Sequence, residues 1–456
     1  MVRPARRVRP PRPSSRGSGS RHAPAAAIGR TVRGVAGRRS RPQPIRRRRP
    51  FRPVARLRAL LGPSREVVRQ SLVSLTVNSS TSLVAGAVLG SITDTFERLP
   101  GLLVLVPAAI GLRGNVFSAL GNRLSTAIHL GNFRLSLRRQ TLMGQNVAAA
   151  LVLTLTLSLL LAVVAKTVAV ALGVMNTISI LDLALISIVG GGLASIVVLV
   201  ATILLAAGST RYGWDLDNLT APLVSTLGDV LTLPALWVAS LLLDVHLFAD
   251  ALGLVVVVAV VAVFVAAWRS NEEVLRGILR ESMPILFAAA CMSTMAGISI
   301  EKRLGIFSAY PALLILFPAF ISSAGALGGI LSSRLSTKLH LGLMSPASFP
   351  NRDARVDGSL ILLLGVPVYL FNGVGAHLVG RMLGQASPGM VDMAVVSLLG
   401  GLFAVLFVIA VAYYGTIAAV RFGADPDTYG IPLVTSSVDF VGAVALIVVI
   451  VSIGIA

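Results

Sequence analysis

The sequence predicts an all-α polytopic membrane protein: two parallel tandem five-helix repeats joined by a connecting transmembrane helix, about 11 spans, behind a disordered basic N-terminal tail. Three observations predict it. Of the 456 residues 55% are hydrophobic and 13% charged, against about a quarter charged in soluble chains. The apolar residues come in repeated runs of about 20, the length a helix needs to cross a hydrocarbon core of ~30 Å. The second half of the chain also repeats the first.

The tail covers 1–62. Residues 1–60 hold 19 arginines, among them Arg46, Arg47, Arg48 and Arg49, with no Asp or Glu and no apolar periodicity. Such a segment buries too little apolar surface to offset its ordering entropy and is expected to stay disordered. It also carries nearly all of the formal charge of +21, because the remaining residues hold 21 basic and 19 acidic side chains. The charge therefore belongs to a tail rather than to a nucleic-acid-binding body, and no specific nucleic acid is expected as a partner. Beside a bilayer each arginine is attracted to anionic lipid at roughly 1 kcal/mol, and a block of them holds the N-terminus in the cytosol. Nucleic-acid tails and organellar transit peptides share this composition.

After the tail, the apolar runs place spans at 70–93, 99–119, 142–165, 181–207, 218–243, 250–268, 274–298, 306–330, 357–382, 391–416 and 429–454. With the N-terminus inside, segments 120–141, 269–280 and 333–356 are cytosolic. They carry Arg123, Arg134, Arg138 and Arg139, then Arg269, Arg276 and Arg280, then Arg334, Lys338, Arg352 and Arg355. The outer segments 166–180, 244–249 and 383–390 offer only Lys166 as a base; Lys302 and Arg303, in another outer turn, are partly offset by Glu301. Basic loops stay inside, so this orientation is favoured. The plasma membrane is the expected location.

The repeat is the most informative feature. PAAIGLRGNVFSALGNRLSTAIHLG at 107–131 aligns without gaps to PAFISSAGALGGILSSRLSTKLHLG at 318–342, identical at 12 of 25 positions. DLALISIVGG at 182–191 matches DMAVVSLLGG at 392–401, and DLDNLTAPLVSTLGD at 215–229 matches DPDTYGIPLVTSSVD at 425–439. The first repeat is placed at 65–246 and the second at 271–456. The odd span at 250–268 returns the chain to the cytosol, so that the second repeat enters the membrane in the same orientation as the first. Parallel halves related by a two-fold along the membrane normal build one class of transporter, and a site on that axis receives matching residues from both.

Asp229 and Asp439 each lie about 12 residues past an acidic pair that opens their span, roughly 18 Å along a helix and near the bilayer midplane. A carboxylate there costs at least ~2.5–3.5 kcal/mol unless it is paired or wetted, and intramembrane acids usually line an ion path or a proton relay. Two of them, one per half, neutralise one divalent cation. A protonated Asp hydrogen-bonded across a helix pair is the competing reading. Pro222, Ser225, Thr226 and Asp229 recur at helical spacing, as do Pro432, Thr435, Ser436 and Asp439, giving each helix a polar stripe fit to line a pore. Asp215, Asp217, Asp425 and Asp427 open their helices on the cytosolic side, where they cap the N-terminus and form a candidate cation mouth. Asp182 and Asp392 open spans on the outer side and read as caps.

Gly114 and Asn115 follow Pro107 within one span, and a helix broken there offers backbone carbonyls or the Asn115 amide oxygen to an ion. The second half keeps Pro318 and Gly325 but has Ala326 for Asn115. Arg113, matched by Ala324, is expected to pair with an acid or reach the cytosolic face. His129 and His340, at equivalent positions in cytosolic loops, read as packing or loop hydrogen-bonding groups, and Arg123 and Arg334 as anchors to headgroups or helix C-termini. Cys291 is the single cysteine, so there is no disulfide framework or thiolate metal cluster.

These residues resemble the membrane domain of the MgtE family of magnesium transporters and its eukaryotic solute-carrier relatives. The resemblance is carried by Pro107 through the GLRGN at 111–115, the RLST at 123–126 with its copy at 334–337, and the D-x-D…PLV…D segments at 215–229 and 425–439, and it covers about 65–456. It implies a fusion of two five-span domains that pair as separate chains in bacterial members. It places the family's fifth-span ion-path aspartate on Asp229 and Asp439, and the mouth aspartate on Asp215 and Asp425. Bacterial members also carry a cytosolic CBS region that senses magnesium and gates the pore, and the 1–62 tail is too short and too polar to form one.

The expected function is transport of a divalent cation, magnesium first, with the ion as cargo and no cofactor. Magnesium sheds water reluctantly and is usually held by one or two carboxylates with retained waters, which suits a sparse acidic site. No Gly-rich phosphate loop precedes a Lys-Ser/Thr, so the sequence does not read as an enzyme. The alternative is a Na⁺- or H⁺-coupled carrier of another solute using the same aspartates. Expected partners are divalent cations, the lipid bilayer, and anionic lipid through the tail, with the chain a monomer or homodimer.

Overall fold

A computed structural model of the chain describes residues 65–212, 216–244, 246–340, 342–421 and 431–455. The tail expected over 1–62 lies outside them, as do Asp215, Asp425 and Asp427. Among the described residues there is no strand, and 11 helices are long and apolar enough to cross a membrane. They are α1 (Arg65–Ser91), α2 (Leu102–His129), α3 (Leu142–Ala171), α4 (Ile180–Tyr212), α5 (Leu216–Ser240), α6 (His246–Trp268), α7 (Glu273–Glu301), α8 (Ala312–His340), α9 (Arg352–Met382), α10 (Met390–Arg421) and α11 (Ile431–Ile453). Short helices at Thr93–Arg98 and Leu304–Ala309 precede α2 and α8 at matching places in the two repeats.

The repeat extends to the devices that start and stop helices. Thr141 Oγ1 accepts the Gly144 N–H at 3.1 Å to cap α3, and Asn351 Oδ1 accepts the Ala354 N–H at 2.9 Å to cap α9. Such a cap satisfies one of the free donors of a first turn. Gly131 and Gly342, with φ of 70° and 67°, follow α2 and α8 in the left-handed region that glycine adopts at little cost. They set the ends of both helices, which run to His129 and His340. The RLST segments are therefore helical, not part of loops starting near 120 and 333. Hydropathy locates the stretch inside the bilayer, whereas a helix emerging into water needs no apolar residues and continues to its stop signal.

Pro107 and Pro318 also leave α2 and α8 continuous, where a break was expected. A proline removes one hydrogen bond to the carbonyl four residues back. Here both prolines fall early in their helices, where little helix lies upstream to be displaced.

Packing then departs from two side-by-side bundles. The apolar stretches of α8 and α2 are 72% and 67% buried, against 17% for the peripheral connecting helix α6. The first helix of each repeat crosses to the other: α1 packs on α8, α9 and α5, and α7 packs on α2, α3 and α11. The crossings are symmetric. At Gly86 of α1 the backbone lies directly on the Ile315 carbonyl of α8, and at Gly297 of α7 it lies on the Val104 carbonyl of α2. Polar groups follow the same exchange. Ser79 and Ser323 share a 3.0 Å hydrogen bond between α1 and α8, and Asn372 of α9 donates to Ser323 Oγ at 2.8 Å. Glu301, ending α7, accepts the Gly101 N–H at 2.7 Å, so it closes the N-terminus of α2.

A β-carbon at Gly86 or Gly297 has no space, because backbone rather than a movable side chain stands in its way. Gly86→Val and Gly297→Val should each cost about 1–3 kcal/mol of stability, read as a lower thermal unfolding midpoint in detergent. Gly277→Ala, on a face of α7 with nothing within 4 Å, should leave the midpoint unchanged or raise it slightly.

Candidate functional site

The exchanged helices meet the fifth helices at the two midspan aspartates. Asp229, on α5, is 6% exposed, and its Oδ2 accepts hydrogen bonds from Ser82 Oγ of α1 at 3.3 Å and Ser322 Oγ of α8 at 3.2 Å. Asn78 of α1 donates to Ser322 Oγ at 3.1 Å. A hydroxyl has one proton, so Ser322 donates either to Asp229 or to Asn78 Oδ1, 3.3 Å away.

Asp439, on α11, is 9% exposed, and its Oδ2 accepts from Ser293 Oγ of α7 at 2.6 Å. Ser82 and Ser293 are equivalent in the repeat, 211 residues apart. Ser322 has Gly111 as its equivalent, and a β-carbon on Gly111 would stand 3.8 Å from Asp439 Oδ2. Each aspartate therefore sits where the fifth helix of its own repeat meets the first helix of the same repeat and the second helix of the other. Asp229 receives two hydroxyls there, whereas Asp439 receives one and faces a glycine.

Both carboxylates face the opposite repeat, Asp229 through Ser322 and Asp439 through Gly111. Acids in such a desolvated setting are relieved by a proton or by a cation. Among the described residues no group of three or more His, Cys, Asp or Glu gathers in the manner of a metal cage. The arrangement is two acids with hydroxyl support, suited to a cation that keeps part of its water.

The other candidates distribute as follows. Gly114 faces Ser225, with 3.2 Å between a built β-carbon and Oγ, and Gly325 faces Thr435, with 3.6 Å to Cγ2. These glycines bring α2 onto α5 and α8 onto α11. Ser225, Thr226, Thr435 and Asn115 are half-buried, and Ser436 is buried. Of Asp217, Pro222 and Pro432 only the backbone is described, within the opening turns of α5 and α11.

Three expectations about basic residues change. Arg113 neither pairs with an acid nor reaches a surface; it is fully buried and donates Nη1 to the Ala109 carbonyl of its own helix. Arg334 does not anchor to headgroups but binds Asp357 of α9 through Nε at 3.0 Å and Nη2 at 2.7 Å, with Lys338 on the other carboxylate oxygen. Arg123 donates to Ser282 Oγ at 2.8 Å. Sequence reasoning also passed over Ser82, Ser293, Ser322, Asn78 and Gly111. The available signal was the register of the repeat carried back into α1 and α7, where Ser82, Ala85 and Gly86 fall on Ser293, Ala296 and Gly297.

Comparison with known proteins matches the sequence to a transporter family. The MgtE family model, described as a divalent cation transporter, matches residues 106–239 and 317–449. Solute carrier family 41 member 3 of Rattus norvegicus is 24% identical over 391 residues, spanning 82% of this chain and 84% of the rat protein. Solute carrier family 41 member 2 of Homo sapiens is 25% identical over 403 residues, 83% of this chain and 69% of its own. The Xenopus laevis member 2 is 26% identical over 404 residues, 83% and 70% respectively. No solved structure matches.

The unequal support of the aspartates has a measurable consequence. Gly111→Ser places on Asp439 the hydroxyl that Ser322 gives Asp229, and should raise stability by about 0.5–1.5 kcal/mol. Ser322→Gly should lower it by a similar amount. Thermal unfolding of both variants against the intact chain checks the pair.

Proposed function

The chain belongs to the MgtE family of divalent cation transporters, and from that premise we propose that it moves Mg²⁺ across the plasma membrane along a path between its two repeats, holding the partly hydrated ion between Asp229 and Asp439. The observation that carries this reading is the matched setting of the two acids: repeat-equivalent carboxylates, nearly buried, each accepting a hydrogen bond from a hydroxyl on the first helix of its repeat where that helix crosses toward the other half. Their two charges match one divalent ion. Ser82, Ser293 and Ser322 hold the acids in place without supplying further charge, so the ion exchanges part of its water for two oxygens and keeps the rest.

Ser225, Thr226, Thr435 and Ser436, with Pro222, Pro432, Gly114 and Gly325, form the walls leading to the pair in this reading, and Asn115 contributes an amide oxygen on the first repeat's side. Asp215, Asp217, Asp425 and Asp427 concentrate cations at the cytosolic mouth, where clustered acids raise the local ion concentration. The repeats run over 65–246 and 271–456, with 250–268 between them. The Arg-rich tail lies in the cytosol against anionic lipid. An inside-negative membrane potential favours inward movement, about 2.3 kcal/mol per charge per 100 mV.

Mg²⁺ flux into proteoliposomes carrying an internal magnesium dye tests the proposal. The intact chain should give saturable flux, and Asp229→Asn/Asp439→Asn at matched insertion should fall to the level of empty vesicles. Flux that survives in the double variant moves the path away from these aspartates.

A further inference from the structure

Resting on the transport reading above, we propose that Arg113 sets the affinity of the ion site: a fixed interior cation, carried by the first repeat alone, that weakens the hold of Asp229 and Asp439 on a divalent ion enough for it to leave.

Arg113 is fully buried, and its Nε and Nη2 have no hydrogen-bond partner. No described carboxylate pairs with it. A guanidinium in that condition inside a membrane protein is costly, yet its seat is built for it. Gly191 of α4 lies directly under Nη2, with Ser158 Oγ of α3 beside it, and Gly228 of α5 leaves 3.5 Å between a built β-carbon and Arg113 Cβ.

The second repeat fills the same frame differently. Ala324 stands for Arg113, Tyr369 for Ser158 and Val438 for Gly228, while Gly401 keeps the place of Gly191. The Tyr369 ring lies directly on Gly401, as the guanidinium does on Gly191. The backbone around the two seats is alike: Ser187 Oγ donates to the Ser158 carbonyl at 2.7 Å, and Ser397 Oγ to the Tyr369 carbonyl at 2.7 Å. Three positions thus differ together, a long cation with small neighbours in one repeat and an alanine with large neighbours in the other.

The Arg113 backbone lies beside the segments that carry one acid and face the other. Gly228, against Arg113 Cβ, directly precedes Asp229, and Gly111, two residues before Arg113, faces Asp439. An extended arginine side chain rooted beside Gly228 and seated on Gly191 carries its charge on the order of 10 Å from Asp229. At that range a unit charge in the protein interior changes affinity for a divalent ion by about tenfold or more. With Arg113 the site carries a net charge of −1 when empty and +1 when filled. Without it the filled site is neutral and holds its ion longer. A conducting site must bind well enough to fill and weakly enough to empty.

The test measures half-saturating Mg²⁺ for flux in proteoliposomes, together with equilibrium Mg²⁺ binding in detergent. The variants are Arg113→Lys, Arg113→Met, and Arg113→Ala/Ser158→Tyr/Gly228→Val, the last installing packing with which the second repeat already folds. The lysine variant should stay within about twofold of the intact chain. The triple variant should half-saturate at about tenfold lower Mg²⁺ with a reduced maximal rate, and Arg113→Met should shift the same way, which decides the matter if the triple variant does not fold. A folded charge-free variant with unchanged half-saturation overturns the proposal, as does a lysine variant that tightens equally, because either leaves Arg113 a packing residue. An intact chain with neither Mg²⁺ flux nor binding overturns the transport reading and this one with it, and is distinguished by appearing in the unsubstituted protein.

Discussion

The exchange of α1 and α7 between the repeats is the contact on which the rest of the structure depends. Gly86 and Gly297 let each exchanged helix lie with its backbone on a carbonyl of the opposite repeat's second helix. In an apolar solvent, helix association draws little from burial of oily surface and much from close packing and interhelical hydrogen bonds. Both are concentrated here. One turn from Gly86, toward the N-terminus of α1, lies Ser82, and two turns away lie Ser79 and Asn78; they serve Asp229, Ser323 and Ser322. On α7, Ser293 holds the same relation to Gly297 and serves Asp439. Close packing at the glycine thus fixes the height at which a hydroxyl meets a carboxylate. The candidate site and the joint between the halves are one construction: Asp229 takes a hydroxyl from the other half, and Asp439 lies against the other half's Gly111.

This joint was the least legible part of the molecule, for a physical reason. Span number and internal duplication are written in apolar run length and in conserved turn chemistry, so they can be read from sequence. A crossing between helices depends on which small residue meets which backbone. Gly86 and Gly297 sit in α1 and α7, whose sequences have drifted apart where 107–131 and 318–342 have not. Asp229 and Asp439 were legible because an acid midway along an apolar run needs an explanation. Their serine partners were not, because serine in a membrane helix is common and usually bonds its own backbone, as Ser299 does to Met295 at 2.8 Å. Helix ends failed differently: Arg123 and Arg334 looked like loop residues because hydropathy reports where the bilayer stops, not where the helix does.

The two repeats keep a common backbone frame and diverge in what fills it. Asp357 holds Arg334 and Lys338 at the end of α8, whereas the equivalent first-repeat positions are Asn146, Arg123 and Ala127, and Arg123 turns to Ser282. Glu301 closes the N-terminus of α2, but its equivalent is Gly90, and the first N–H of α8 goes to the Ala386 carbonyl at 3.3 Å instead. Apart from the arginine both repeats keep at 123 and 334, a charge appears in one repeat and a smaller or neutral group in the other. The aspartate pair does not follow that pattern and is the intramembrane charge the repeats share.

Duplication within one chain explains why such divergence is tolerated. In a symmetric dimer of separate five-helix chains every residue occurs twice, because the interface is self-complementary. An arginine at the place of Arg113 would then add two interior cations beside two carboxylates and bring the empty site to zero net charge. A site without net charge has little to offer a divalent ion in a low-dielectric setting. Joining the repeats through α6 lifts the constraint: the acids stay paired, one arginine enters, and the second repeat fills the same volume with the Tyr369 ring. On this argument the connecting helix does more than restore orientation, since it lets a two-fold site carry an odd charge.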